Sequence, residues 1–273
     1  HSHPDGAGEV TGADVNLRSI DEIKAAMHAQ AAVTPPGQWV IGNKYDDTKL
    51  NEGRPVNRHD LDAAVPDQPA IIRHRGGHTA VVNTRGLEVA GIAMKTPDPQ
   101  GGSFGRENGE LTGWVAEKAL DVLFKAGDWP EITRAVRRQG VALMSRAMAA
   151  AGMTSTTDSW GNRENLVAYQ DARAAGELLT RLSFMPGGET ELYSHLKEAG
   201  IRSGFGDDWI RFGAVKYAAD GSASERTMRM STPFNGRPDD YGILTMNQEQ
   251  IDAAVDDAVQ NGWRIGIHVN GDV

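Results

Sequence analysis

Residues 247–269 read NQEQIDAAVDDAVQNGWRIGIHV, a helix followed at once by a strand. Asn247 and Gln250 have capping-box spacing, in which a side chain at the helix start and one three residues later share the orphan backbone amides. Gly262 can adopt the left-handed conformation that ends the helix. Ile265-Gly266-Ile267-His268-Val269 then forms an apolar extended run. Working outward, the same alternation recurs. Ile210 to Tyr217 is a strand, Glu189 to Ala199 helical and Leu182 to Met185 extended. Asn165 to Leu178 is helical, and Thr154 to Asp158 is a strand rich in β-branched residues. A long helix is expected from Pro130 to Ala151, with Ile132, Val136, Leu143 and Ala147 on its core face. Nearer the start, Ser19-Ile20-Asp21-Glu22 is a second capping box, followed by Ile20, Ile23, Ala26 and Met27 at helical spacing. Trp39 to Gly42 and Ala70 to Ile72 read as buried strands, and residues 94–113 as an irregular Gly- and Pro-rich excursion.

Repeating strand–helix pairs imply an α/β fold with a parallel sheet, either a (β/α) barrel or an open doubly wound sheet. No glycine fingerprint for a dinucleotide or phosphate follows an early strand, which favours the barrel. The 273 residues carry no internal repeat and are read as one domain, 1–273. No apolar run approaches the roughly 20 residues needed to cross a bilayer. The net charge of -9 argues against nucleic acid or an anionic membrane as partner. The absence of cysteine removes disulfides, thiolate metal sites and thiol nucleophiles together.

In a barrel, active residues sit at the carboxyl ends of strands, and this singles out a few positions. His1 and His3 form an H-x-H pair, which in an extended strand puts two imidazoles on one side; a tag remnant is the competing reading. His268 closes the last strand before the tight turn Asn270-Gly271-Asp272, where a lone histidine is more often a satisfied rim residue than a ligand. Lys216 ends an apolar strand, where a cation is expensive. It can form a Schiff base, pair with a carboxylate such as Asp220, be carboxylated into a metal bridge, or bury its stem and reach solvent. His78, after Gly76-Gly77, can contact a substrate or lie on a surface turn. Asp46-Asp47 and Asp158 are more ambiguous still.

Several of these segments together resemble the amidohydrolase superfamily, in particular the amidohydrolase family 3 branch that includes N-substituted formamide deformylases. The opening His1-Ser2-His3 is similar to that family's first-strand H-x-H. QWVIG (38–42) followed by Tyr45-Asp46-Asp47, RHDLDAAVPDQP (58–69), GHTAVVNTRGLEVAGI (77–92) and GELTGWVAEKA (109–119) are similar to characteristic stretches of the branch. So are GMTSTTD (152–158), VKYAADGSASER (215–226) and HVNGD (268–272). The resemblance covers the whole chain and overturns the tag reading of His1. It implies a partial TIM-like (β/α) barrel of the metal-dependent hydrolase type, lacking the last strands and the β-sandwich domain. It implies one or two divalent metal ions, with zinc expected, held by His1, His3, Lys216 as a carboxylated lysine, and His268. His78 and Asp220 would lie near the substrate. The implied reaction is hydrolysis of a C–N bond in a small amide, N-formyl or cyclic amide by a metal-activated water. The further histidine and catalytic aspartate that the family draws from later strands are not among these residues. A cytoplasmic protein able to form a homo-oligomer is the accompanying expectation. A Schiff-base, aldolase-like barrel acting through Lys216 and a non-catalytic barrel fragment are the alternatives.

Overall fold

Side-chain caps begin most of the helices in the computed structural model, which describes residues 2–273. The Ser19 side chain accepts from the Glu22 amide while the Glu22 carboxylate accepts from the Ser19 amide, so the expected capping box is formed. Ser19→Ala is expected to lower stability by about 1 kcal/mol in urea denaturation, with an unchanged slope. Among the described residues no helix is long and apolar enough to cross a membrane.

The chain has a mixed α/β fold and divides into two compact units, each built from non-consecutive segments. The first unit comprises residues 2–10, 132–219 and 246–268; the second comprises 11–131, 220–245 and 269–273. The first opens with a helical turn, α1 (Ala7–Val10). The chain then builds the second unit from β1 (Ala13–Asp14), α2 (Ile20–Val33), β2 (Val40–Tyr45), α3 (Arg58–Ala64), β3 (Ala70–His74), β4 (Thr79–Val82), α4 (Thr84–Val89), β5 (Gly102–Glu107), β6 (Glu110–Glu117) and α5 (Leu120–Phe124). Its sheet has the order β1-β2-β3-β4-β6-β5. The first three strands are parallel, the rest antiparallel. This mixed sheet corrects the expectation of a parallel sheet throughout. The excursion at 94–113, expected to be ordered rather than a linker, contains β5 and the start of β6. Asn108 and Gly109, at φ 51 and 81, make the two-residue hairpin turn between them. Trp39 anchors one core of this unit, stacked on Trp129 at 4.6 Å with its Nε1 donating to the Ala126 carbonyl.

The first unit resumes with α6 (Arg134–Ala150), β7 (Ser155–Gly161), α7 (Arg163–Ala174), β8 (Arg181–Pro186), α8 (Glu191–Glu198), β9 (Ile210–Phe212), β10 (Val215–Ala218), α9 (Gln248–Gln260) and β11 (Ile265–His268). Every pairing between the named strands here is parallel. Ser2 bridges Asp158 on β7, β7 pairs β8, β8 pairs β9, Gly187 bridges Lys216, and β10 pairs β11. Alternation along β8 buries Leu182, Phe184 and Pro186 and leaves Arg181, Ser183 and Met185 less covered. The buried side packs with Val141, Ala168 and Tyr169. A second core joins Tyr193, Val215 and Tyr217 to Ala258 and Trp263. Leu143, expected on the core face of α6, is exposed; Gly140, Val141 and Ser145 are buried instead. Gly140 lies there because α1 comes so close that a Cβ would sit 2.5 Å from the Gly6 backbone.

Candidate functional site

Within the first unit, Lys216 stands in the middle of β10 and is 6% exposed. Its backbone is well held, the Gly188 amide donating to its carbonyl at 2.8 Å. Its amine makes no hydrogen bond or ion pair among the described residues, and burial pushes its pKa down. The register pairs Lys216 with Gly266 and Ala218 with His268. Residues two apart on a strand share a face, so Lys216 and His268 project from the same side of β10–β11, roughly 7 Å apart along the strand direction. His268 is half-buried and its carbonyl accepts from the Ala219 amide at 2.9 Å.

His1 lies outside the described residues. Ser2 fixes the segment beside it: its carbonyl accepts from the Ser159 amide at 3.0 Å, and its hydroxyl donates to the Thr157 carbonyl at 2.6 Å. The His3 side chain is 55% exposed, with Nδ1 4.0 Å from Asp158 Oδ1. Asp158 is buried, and its Oδ2 has no hydrogen-bond partner among the described residues. Burial lifts its pKa to about 7, the Tyr169 hydroxyl opposing and the Asp5 charge adding to the rise. These residues fit a divalent cation. The buried carboxylate oxygen of Asp158 meets no donor or cation among the described residues, which a metal ion would supply, and imidazoles are suitable ligands.

The second unit holds a different cluster. His78 Nδ1 lies 2.9 and 3.0 Å from the two carboxylate oxygens of Glu117, a residue with φ 53. Burial pulls the His78 pKa down, but Glu117 outweighs it and the net shift is upward. Glu225, with a fully buried side chain, accepts from Thr79 Oγ1 at 2.6 Å and from the His78 amide at 3.4 Å, and lies 3.3 Å from His74 Nδ1. A Cβ on Gly76 would come within 2.0 Å of Glu225 Oε1, so a larger residue there would push the carboxylate from its place. Asp46, Asp47 and His74 offer ligand atoms within 4.8 Å of one another, and are the one such group of histidine and carboxylate side chains among the described residues. Cations already balance it: Arg75 Nε sits 2.8 Å from Asp46, and Arg226 donates to Asp47. A metal would have to displace both, so the group is read as a buried ion-pair knot. Asp220, 2% exposed, accepts from the amides of Arg229, Asn270 and Gly271 at 3.0, 2.9 and 2.7 Å. That is the work of a loop organiser.

The structure therefore brings Lys216 and His268 to one strand face and pairs His3 with Asp158, while His78 and Asp220 belong to the other unit. Glu117 and Glu225 escaped the sequence reading because neither lies in a spacing that marks a site. Only their burial reveals them.

The family described as "Amidohydrolase family" matches residues 1–273. The putative amidohydrolase YtcJ of Bacillus subtilis (strain 168) is 28% identical over 265 residues, 94% of this chain and 48% of that protein. The N-substituted formamide deformylase of Arthrobacter pascens is 29% identical over 177 residues, 63% of this chain and 32% of that protein. The chain thus spans about half the length of the first and a third of the second. Among solved structures, an uncharacterized metal-dependent hydrolase from Pyrococcus horikoshii OT3 superposes with a TM-score of 0.65 at 24% identity. That match covers 100% of this chain and 52% of the other, and the likeness is one of fold.

Proposed function

We propose, from the premise that this chain belongs to the amidohydrolase family, that it carries the metal-holding part of a hydrolase acting on C–N bonds of small amides. The parallel run from Ser2 through β7, β8, β9 and β10 to β11 supports reading the first unit as a partial TIM-like barrel. The observation that carries the proposal is Lys216, a buried amine with no partner among the described residues, on the same strand face as His268.

Burial favours the neutral amine, and the neutral amine is the nucleophile. Its nitrogen adds to the carbon of carbon dioxide and loses a proton, leaving a carbamate that carries the negative charge the pocket lacks. His1, His3, the Lys216 carbamate and His268 would then hold one or two divalent ions, zinc in our reading. Such ions supply Lewis acidity to the scissile carbonyl and lower the pKa of a water. N-formyl, N-acyl and cyclic amides are the substrate classes proposed, with no nucleic-acid or membrane partner. His78, with Glu117 against its ring, and Asp220, whose oxygens accept from three amides, are proposed as substrate contacts.

Metal analysis of the purified protein, with hydrolysis of N-formyl and N-acyl amides followed before and after chelation, tests the reading. Bound zinc and activity that disappears on chelation and returns with the ion are expected. A protein that takes up no transition metal, or an activity indifferent to chelation, overturns it. Borohydride with a carbonyl compound should leave no adduct on Lys216, which separates this chemistry from a Schiff base.

A further inference from the structure

We propose that Asp158 is a positioning residue, whose buried carboxylate holds the His3 ring with its proton on Nδ1 so that Nε2 offers its lone pair to a divalent cation. The inference rests on the reading that His3 is a metal ligand. It concerns a residue to which that reading gives no role.

Three observations converge on it. The first is register: Ser2 bridges Asp158 in parallel pairing, which sets the carboxylate level with the residue before His3. Ser2 is clamped there by its own hydrogen bonds to the backbone of Thr157 and Ser159, so the alignment does not depend on Asp158. The second is partnership. Within 4.0 Å of Asp158, the one basic group among the described residues is His3. Its other named neighbours are the Tyr169 hydroxyl and the like-charged Asp5, whose Oδ2 accepts from Asn165 Nδ2 at 2.8 Å. The third is the orphaned Oδ2. A carboxylate this deeply buried, at 4% side-chain exposure, is costly unless donors or a cation face it. The backbone fixes β7 without it. A side chain that is costly to bury, and whose Oδ2 meets no donor among the described residues, is best explained by what it does to the ring beside it.

The His3–Asp158 separation of 4.0 Å is an electrostatic contact rather than a hydrogen bond. The His3 ring is more than half exposed, so a modest rotation closes the gap. Ligating histidines regularly donate their second N–H to a carboxylate, which fixes the tautomer and raises the basicity of the ligating nitrogen.

The test uses the full chain with cobalt as the probe metal. Affinity is measured by competition with a chelator, and the cobalt absorption spectrum reports coordination. Asp158→Asn is expected to weaken cobalt binding about 10- to 100-fold and to shift that spectrum, while the metal-free protein melts at the same temperature or higher. Nitrogen-15 NMR of the metal-free protein supplies a readout independent of the metal. The Nδ1–H tautomer should dominate at His3 in the wild type and give way to a mixture in Asp158→Asn. Unchanged cobalt affinity in a folded Asp158→Asn protein, or an unchanged tautomer, overturns the inference. If His3→Ala and wild type bind cobalt equally, it is the metal-ligand reading of His3 that has failed, and the inference falls with it. A loss of thermal stability with no change in affinity or tautomer would assign Asp158 a purely structural role and also overturn it.

Discussion

Lys216→Met should have two opposite effects: loss of divalent-metal uptake and a gain of about 1–2 kcal/mol in the stability of the metal-free protein. Both follow from the same geometry. Lys216 is buried on β10 with no hydrogen bond or ion pair among the described residues, and desolvation is what depresses its pKa. Methionine fills a similar unbranched volume without a polar head group, so the buried strand keeps its packing and loses an unbalanced amine. A lysine retained only for packing would tolerate the exchange with its chemistry intact. One that becomes a carbamate would not, because methionine cannot add carbon dioxide. Metal content after dialysis against zinc, with urea denaturation in chelator, reads the two effects together. Carbon-13 bicarbonate NMR should show a carbamate signal in the wild type that is absent from the variant. Retention of metal by Lys216→Met, or a marked fall in metal-free stability, would contradict the assignment.

Glu225→Ala should cost the second unit about 3–5 kcal/mol. The carboxylate is fully buried among His74, Thr79 and the His78 amide. Truncation strands the Thr79 hydroxyl and leaves the His74 ring facing Asp47 alone, at 3.7 Å. The pH dependence of stability gives a second readout. Burial lowers the His74 pKa, but Asp47 and Glu225 outweigh it and lift it from 6.5 to about 9. A raised histidine stabilises the fold fully below its unfolded pKa and progressively less as pH rises through the folded one. Stability should therefore fall between about pH 6.5 and 9, by about 3 kcal/mol in all. The lowered pKa of Glu225 expresses the same contact from the acid side, where stability is lost as the carboxylate protonates. Glu225→Gln should flatten the alkaline limb. Nδ1 of His74 also lies 3.1 Å from the Gly76 amide. Two carboxylates at the ring decide for a proton on that nitrogen, and a flat wild-type profile would show instead that the amide donates to a neutral ring.

Much of this could be read along the chain. The capping boxes at Ser19 and Asn247 start α2 and α9 where expected. The apolar runs around Lys216 and His268 are strands. The Asn108-Gly109 hairpin was equally legible, but glycine and proline around it masked the signal. Leu143 was assigned to the core face of α6 because periodicity marks an apolar stripe without saying what covers it.

Local pattern determined which residues become helix or strand and which lie on the same face of one element, because caps, turns and periodicities act over two to four residues. Tertiary structure alone decided that the chain splits into two units, that Ser2 meets Asp158, that Glu225 meets His74 and that Lys216 meets no partner among the described residues. Those facts depend on strand register and on burial by segments distant along the chain. No short-range preference encodes the free energy of leaving an amine or a carboxylate without its counter-charge; that is settled only when the whole unit closes around it.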